Sequence, residues 1–180
     1  AGLAPTGTGL PQAIPDTDYL DQMYEAGAAA YFDALGVNAP GYKAPPEISP
    51  EEAAASEAYG AQRFFCFRHV EDIRAIMVEH GDAYKQVMIL EMGWTTDPRP
   101  ESPYHWHAVT PEEKADYLVR AFQYAEENWS DWIGLMSVLS IPDPKWTGED
   151  EQYWWAITEP AWPETTVRPA YRALQAMEKR

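Results

Sequence analysis

The sequence predicts an α/β fold whose strands run parallel. Three short apolar segments alternate along the chain with helices that carry apolar residues on one face. Successive apolar segments begin roughly fifty residues apart, which leaves room for a helix between each pair of strands. Parallel strands joined by right-handed helical crossovers have this arrangement. Three such strands fit either an open sheet or part of a barrel, and their spacing does not distinguish the two.

The size and composition indicate one folded domain spanning residues 1–180. A chain of 180 residues can bury a core but is shorter than the roughly 250 residues of a closed (β/α)8 barrel. Its hydrophobic fraction of 46%, with 8 Trp and 11 Tyr, is too high for a disordered acidic chain. The net charge of −16 would repel phosphate backbones and anionic lipid surfaces. We therefore expect neither a nucleic acid partner nor a membrane partner.

The N-terminal part is predicted to contain a loop, a helix and a strand. Residues 1–15 are rich in Gly, Pro and Thr, and residues 16–18 form a helix N-cap ahead of apolar side chains spaced three and four apart. Residues 31–38 are a mostly apolar run that predicts the first strand. The following Ala39-Pro40-Gly41 ends this strand in a loop.

A helical region and a second strand follow. Ser49-Pro50-Glu51-Glu52 has the sequence of a capping box with proline at the first helical position. Helical spacing then predicts a helix at about residues 63–80, with Phe64 to Phe67 on its buried side and Gly81 as its end. Residues 86–94 predict the second strand, which is apolar and carries a glutamate near its C-terminal end.

The last part repeats the alternation of helix and strand. After a loop at residues 95–109, Thr110-Pro111-Glu112-Glu113 forms a second capping box that starts a helix. Residues 131–139 predict the third strand. A Trp-rich loop follows, and a final helix is expected from about residue 168 or 169 to residue 179.

The glutamate of the second strand, Glu91, is the main candidate for a functional residue. A charge inside a buried strand is costly unless it is paired, so a glutamate that ends an apolar strand is expected to face a polar cleft. Parallel α/β folds place their chemistry at the C-terminal ends of the strands. The alternative is an ordinary salt bridge or a loop contact at the sheet edge.

The segment around this glutamate, Ile89-Leu90-Glu91-Met92-Gly93-Trp94, resembles the seventh strand of the clan A glycoside hydrolase barrels. In that clan the glutamate is the catalytic nucleophile. The resemblance implies that the three strands are barrel strands six to eight, that residues 2–7 leave strand five, and that residues 168–174 match the end of the barrel. The expected fold is thus a partial (β/α)8 barrel, the C-terminal half of a retaining β-glycosidase.

The second carboxylate that retaining hydrolysis requires has no match in this sequence. In the clan, the acid/base is a glutamate preceded by asparagine at the end of strand four, and the sequence contains no Asn-Glu pair. The resemblance therefore implies a fragment that is inactive alone and is completed by an N-terminal half-barrel or by self-association. The rival hypothesis is a non-catalytic half-barrel that binds carbohydrate or is structural. An unrelated three-stranded α/β domain is the third possibility.

The resemblance to the clan implies further site residues, which stand at positions that match the ends of its strands. Asn38, with Tyr42 after it, stands where the clan often has a His and a Tyr at the end of strand six, and Leu139 stands where strand eight commonly ends in Trp. Both differences indicate an altered sugar site. Trp94 and Trp106 are candidates for stacking on sugar rings, although packing explains any single Trp about equally well.

No cofactor and no metal site are predicted. His105 and His107 have a spacing that can bind a transition metal, but no third ligand is evident. Glu159-Pro160 lacks the preceding asparagine of a catalytic pair, and the acidic run at residues 149–151 is explained by helix N-terminal charge or solvation. The N-terminus shows no signal-peptide pattern. Glycosidases of this type are frequently secreted, which implies an extracellular protein, while a cytoplasmic location stays open.

Overall fold

The protein has an α/β fold with a four-stranded, all-parallel sheet. A computed structural model describes residues 2–7, 13–160 and 166–179. The strands are hydrogen-bonded in the order in which they occur along the chain, β1-β2-β3-β4. They comprise β1 (Gly2–Leu3), β2 (Ala34–Pro40), β3 (Gln86–Gly93) and β4 (Ile133–Val138). The α/β class predicted from the sequence is confirmed, and the sheet is compatible with part of an α/β barrel.

In the described part of the chain, six α-helices connect and follow the strands. Their bounds are α1 (Asp16–Glu25), α2 (Pro50–Ala55), α3 (Val70–Glu79), α4 (Pro111–Trp129), α5 (Glu151–Trp155) and α6 (Pro169–Ala176). Helix α1 packs against α3, and α4 packs against α6. Within the described residues, no helix combines the length and the apolar character needed to cross a bilayer.

The N-terminal strand β1 was not among the three predicted strands. Gly2 pairs with Gly36 and Leu3 pairs with Val37, both in parallel register. Two residues are too few to give an alternating pattern, so the surrounding Gly and Pro dominated the prediction of a loop. The pairing puts the segment at residues 2–7 beside β2.

The two faces of the sheet differ in character. One face packs on the helices and forms the main core with strand residues such as Val37, Val87 and Ile89. On the other face, Leu90 and Leu135 keep 40% and 51% of their surface exposed. Because side chains alternate along a strand and paired residues share a face, Gly36 and Met88 belong to this second face too. We call Gly36, Met88, Leu90 and Leu135 the open face.

Both predicted capping boxes are confirmed. The Ser49 hydroxyl accepts a hydrogen bond from the Glu52 backbone N–H, and the Glu52 carboxylate accepts one from the Ser49 backbone N–H. Thr110 and Glu113 make the same reciprocal pair at the start of α4. These contacts satisfy backbone donors that the first helical turn leaves free, which is why short sequence motifs located the helix starts correctly.

The predicted helix at residues 63–80 was wrong over its first part. Cys66 has an extended backbone, residues Phe67–His69 form one 3-10 turn, and α3 begins only at residue 70. The apolar residues before it include Phe64 and Phe65, which are half-buried and whose rings meet the ring of Tyr42 edge-on. Packing of this aromatic run against a distant loop therefore produced a pattern that resembled a helix face.

The first predicted strand is displaced along the chain, and the third is shorter than expected. Residues Ala28–Tyr31 form a 3-10 turn, and β2 spans residues 34–40 instead of residues 31–38, so Ala39 and Pro40 belong to the strand and not to the predicted loop. Strand β4 starts at residue 133 instead of residue 131. The final helix ends at residue 176 rather than residue 179.

A buried ionic cluster ties the start of α1 to the start of α3. His69 Nε2 lies 2.9 Å from Asp16 Oδ2, and His69 Nδ1 lies 3.4 Å from Asp72 Oδ2. Burial alone would lower the pKa of His69, but hydrogen bonds and charges from the two aspartates outweigh it and raise the pKa to about 9. At neutral pH the imidazolium thus carries a charge that the aspartates compensate.

Candidate functional site

A cleft of about 520 Å³ opens at the C-terminal edge of the sheet. It lies where β2 and β3 end, and the loop after β4 closes one side. Its lining includes the strand-end residues Asn38 and Glu91, Trp146 of the loop after β4, and the α5 residues Glu151, Gln152 and Trp155. This is the edge at which parallel α/β folds place binding and catalytic groups.

A bulge in β3 turns Glu91 toward the cleft. Strict alternation would put residue 91 on the same buried face as Val87 and Ile89. The pairing register shifts instead, so that Val37 faces Ile89 while Asn38 faces Glu91. Leu90 and Glu91 are consequently both exposed, and Met92 returns to the core. The bulge therefore re-aims one side chain, as bulges near functional sites often do.

Asn38 holds the Glu91 carboxylate from the neighbouring strand. The Asn38 amide Nδ2 donates a hydrogen bond of 3.0 Å to Glu91 Oε2. This hydrogen bond fixes the orientation of the carboxylate. The structure thus brings together two residues that the sequence predicted as nucleophile and substrate contact.

Tyr42 also lines the cleft, and it has a left-handed backbone with φ of 52°. Its ring packs edge-on against the ring of the buried His107 and lies nearly parallel to the ring of Trp106, at a centroid distance of 6.4 Å. Burial raises the pKa of the Tyr42 hydroxyl, so the phenol stays protonated and can donate a hydrogen bond. Tyr42 is therefore placed as the sequence suggested, at the cleft wall.

Trp94 does not reach the cleft. Its side chain is fully buried, and its indole Nε1 donates a hydrogen bond of 2.9 Å to the Ala44 carbonyl. The ring lies directly against Gly41, where an added Cβ would come within 1.9 Å of it. A fully buried indole cannot offer a face to a sugar, so the expected substrate contact of Trp94 is corrected to support of the loop after β2.

Trp106 is 41% exposed but is not part of the cleft lining. It packs edge-on against Phe65 and lies over Tyr42, which separates it from the cleft. A sugar contact of Trp106 would thus require a ligand that extends past the Tyr42 ring.

Helix α5, which follows β4, contributes a second carboxylate, Glu151. The sequence interpretation of residues 149–151 as helix N-terminal charge or solvated residues fits its position in the first turn of α5 but did not predict its place in the cleft. The Trp155 indole Nε1 donates a hydrogen bond of 2.8 Å to Glu151 Oε1. Trp146 and Gln152 flank the same part of the cleft, as does Leu139, the residue expected at the end of strand eight. No short motif marks this group, because Glu151 and Glu91 come from separate segments that only the tertiary structure brings together.

Lys114 of α4 holds the backbone of residues 154–156, at the end of α5, in place. Its buried ammonium donates hydrogen bonds of 3.1, 2.5 and 3.0 Å to the carbonyls of Trp154, Trp155 and Ala156. Burial, with the nearby Arg168 charge as a further cause, lowers the pKa of Lys114 to about 7. The three carbonyls are the groups that hold the charged form in place, and through them Lys114 positions the Trp155 ring.

The histidine pair of the 95–109 loop makes no metal centre. His105 Nδ1 lies 3.2 Å from the Asp97 carbonyl, and desolvation lowers the pKa of His107 to about 4. Among the described residues, no group of three or more His, Cys, Asp or Glu side chains could hold a metal ion. Glu159, the other carboxylate considered, pairs with Arg168 and accepts a hydrogen bond from Tyr153.

Comparison of the chain with protein-family models and with curated protein sequences finds no match.

Proposed function

We propose that this chain is the C-terminal half of a clan A glycoside hydrolase barrel and that Glu91 is its nucleophile. The observation that carries the proposal is the exposed Glu91 carboxylate, turned by the bulge into a cleft at the C-terminal strand ends and held by Asn38. The strand order supports a barrel over a doubly wound sheet, because it follows the chain without the reversal that defines a switch point. In this proposal, β1 to β4 correspond to barrel strands five to eight.

The chemistry proposed for Glu91 is attack on an anomeric carbon. A retaining enzyme forms a covalent glycosyl ester with one carboxylate while a second carboxyl group, about 5 to 5.5 Å away, protonates the leaving oxygen. Glu91 suits the first role, since its exposed carboxylate is oriented in the cleft by the hydrogen bond from Asn38. Trp146 and Tyr42, which are both partly exposed, supply aromatic faces on which a sugar ring can stack, whereas Trp155 is only 7% exposed.

Glu151 does not suit the role of general acid. In the clan that the chain resembles, the acid/base is a glutamate preceded by asparagine at the end of strand four, whereas Glu151 is preceded by Asp150 and begins α5, after β4. The acid/base is therefore proposed to come from a complementary N-terminal half-barrel or, in a homo-oligomer, from another copy. The open face and the outer edges of β1 and β4, to which no strand of the described part is paired, are the surfaces such a partner would cover.

The nucleophile can be tested without the missing acid. A 2-deoxy-2-fluoro glycoside with a dinitrophenolate leaving group needs no protonation to depart. Attack by Glu91 would form a carboxylate–sugar ester, break the anomeric C–O bond and release dinitrophenolate. Mass spectrometry should find the fluoro-sugar on the peptide that contains residue 91.

Two variants sharpen this experiment. Glu91→Gln should abolish labelling, while Glu151→Gln, which removes the other carboxylate of the cleft, should still be labelled at residue 91. Labelling elsewhere, or no labelling across a panel of β-glycosides, would contradict the assignment of Glu91.

The second candidate function is a non-catalytic carbohydrate-binding half-barrel. It is favoured by the absence of a suitable general acid among the cleft residues described above. Saccharide binding without labelling or turnover, equal in the wild type and in Glu91→Gln, would establish this function instead.

A further inference from the structure

The charges that line the cleft are of one sign. Among the described lining residues, Glu91 and Glu151 are the carboxylates, and no Lys, Arg or His is present. The internal segments outside the described part, residues 8–12 and 161–165, also contain no Lys, Arg or His in the sequence. A ligand that carries a carboxylate, sulfate or phosphate would find no compensating charge among the described residues that line the cleft.

The Glu151 carboxylate is fixed and still has capacity to bind. One oxygen accepts the Trp155 hydrogen bond, and a carboxylate offers about four lone-pair sites in all. Lys114 holds the backbone of the segment that carries Trp155. The carboxylate therefore belongs to an anchored group, unlike the exposed acidic side chain of Glu149 on the same loop.

The aromatic residues add a second preference for positive charge. Tyr42, Trp146 and Trp155 line the same cleft. Aromatic faces stack on sugar rings, and they also attract ammonium groups through the ring quadrupole. Carboxylate and aromatic groups together are the chemistry that recognises an aminated ring.

We propose that the cleft selects amino sugars, with the ligand ammonium paired to Glu151. The inference rests on the proposed carbohydrate function and deepens it by naming the substrate class. A saccharide of glucosamine units with free amines is the expected ligand, neutral saccharides bind more weakly, and uronic acid saccharides are excluded.

Binding of four β-linked trisaccharides to the full chain tests this. They consist of glucosamine, N-acetylglucosamine, glucose and glucuronic acid units, and the N-acetyl form keeps the nitrogen but removes its charge. Titration calorimetry at mildly acidic pH, where the amine is protonated, should show the glucosamine trisaccharide binding roughly five- to tenfold tighter than the two neutral ones. Added salt should reduce this advantage.

Matched variants separate the cleft charge from the overall charge. Glu151→Gln keeps an oxygen that can accept from Trp155, so it should fold, and the ratio of the affinities for the glucosamine and glucose trisaccharides should fall to about one. Glu149→Gln removes the same charge from outside the cleft and should leave the preference unchanged.

The outcomes distinguish this inference from the proposed function. Equal affinity for amino and neutral saccharides, tight binding of the glucuronic acid form, or an equal effect of both variants would overturn the amino-sugar inference and leave carbohydrate binding intact. Binding of none of the four saccharides would overturn the carbohydrate function together with the inference.

Discussion

Raising the pH through the range in which His69 loses its proton should destabilise the protein. The His69 side chain is 5% exposed and lies between Asp16 and Asp72. Because the aspartates raise its pKa above the ordinary value, the folded protein binds this proton more tightly than the unfolded chain does. The stabilisation is fully present below about pH 6.5 and is lost as the pH rises through about 9.

The size of this effect follows from the pKa difference. A rise from 6.5 to about 9 corresponds to about 3 kcal/mol of unfolding free energy. Total stabilities of domains are on the order of 5 to 15 kcal/mol, so the loss should be easy to measure. Asp16→Asn keeps a hydrogen-bond acceptor but removes one of the two charges, and should reduce the pH-dependent part by about half.

Urea unfolding followed by circular dichroism, repeated across this pH range, measures the effect directly. Asp21→Asn is the control, because it alters the more exposed ion pair with His80, and such pairs contribute little. An unfolding free energy that stays flat across this range in the wild type, or an equal change in both variants, would refute the argument.

Three further perturbations have defined outcomes. Gly41→Ala would force a Cβ into the Trp94 indole and should lower the unfolding free energy by about 3 kcal/mol, whereas Gly148→Ala, whose nearest neighbour lies at 3.5 Å, should change it little in the same urea measurement. Lys114→Met leaves the Trp155 carbonyl without a donor, while Thr96 and Arg168 still donate to the carbonyls of Trp154 and Ala156, and should cost about 1 to 3 kcal/mol, accompanied by a change in tryptophan fluorescence. Self-association through the open face should weaken in Leu135→Lys when measured by sedimentation velocity. A wild-type chain that is monomeric and resistant to protease would contradict the prediction of self-association.

Elements specified by local chemistry could be predicted from the sequence. The capping boxes at Ser49 and Thr110 satisfy backbone donors within four residues, and the core of each longer strand is a continuous apolar run. The aromatic run at Phe64 and Phe65 misled the prediction because its burial depends on Tyr42, more than twenty residues earlier. For the capping boxes and the strands, the local sequence pattern and the long-range packing indicate the same structure. For the aromatic run at Phe64 and Phe65, they indicate different structures.

The candidate site was predictable only where it belongs to a strand end. Glu91 and Asn38 could be named because polar residues that close apolar strands meet at one edge of a parallel sheet. The bulge that exposes Glu91 leaves no signature in the sequence. Glu151 was missed because its acidic neighbours look like helix N-terminal charge, and Trp94 was overrated because proximity along the chain does not determine the direction of a side chain.

The charge of the chain bears on which partner would complete the sheet. The open face and the two outer strand edges have to be covered together, and a complementary half-barrel would pair with both edges at once. A second copy would bring another net charge of −16 into contact with the first, which repels at low salt and is screened only at higher ionic strength. A complementary half-barrel of lower negative charge avoids this repulsion. It would also place its own strand ends opposite Glu91, where the proposed mechanism needs a proton donor. Charge and chemistry therefore favour the same partner.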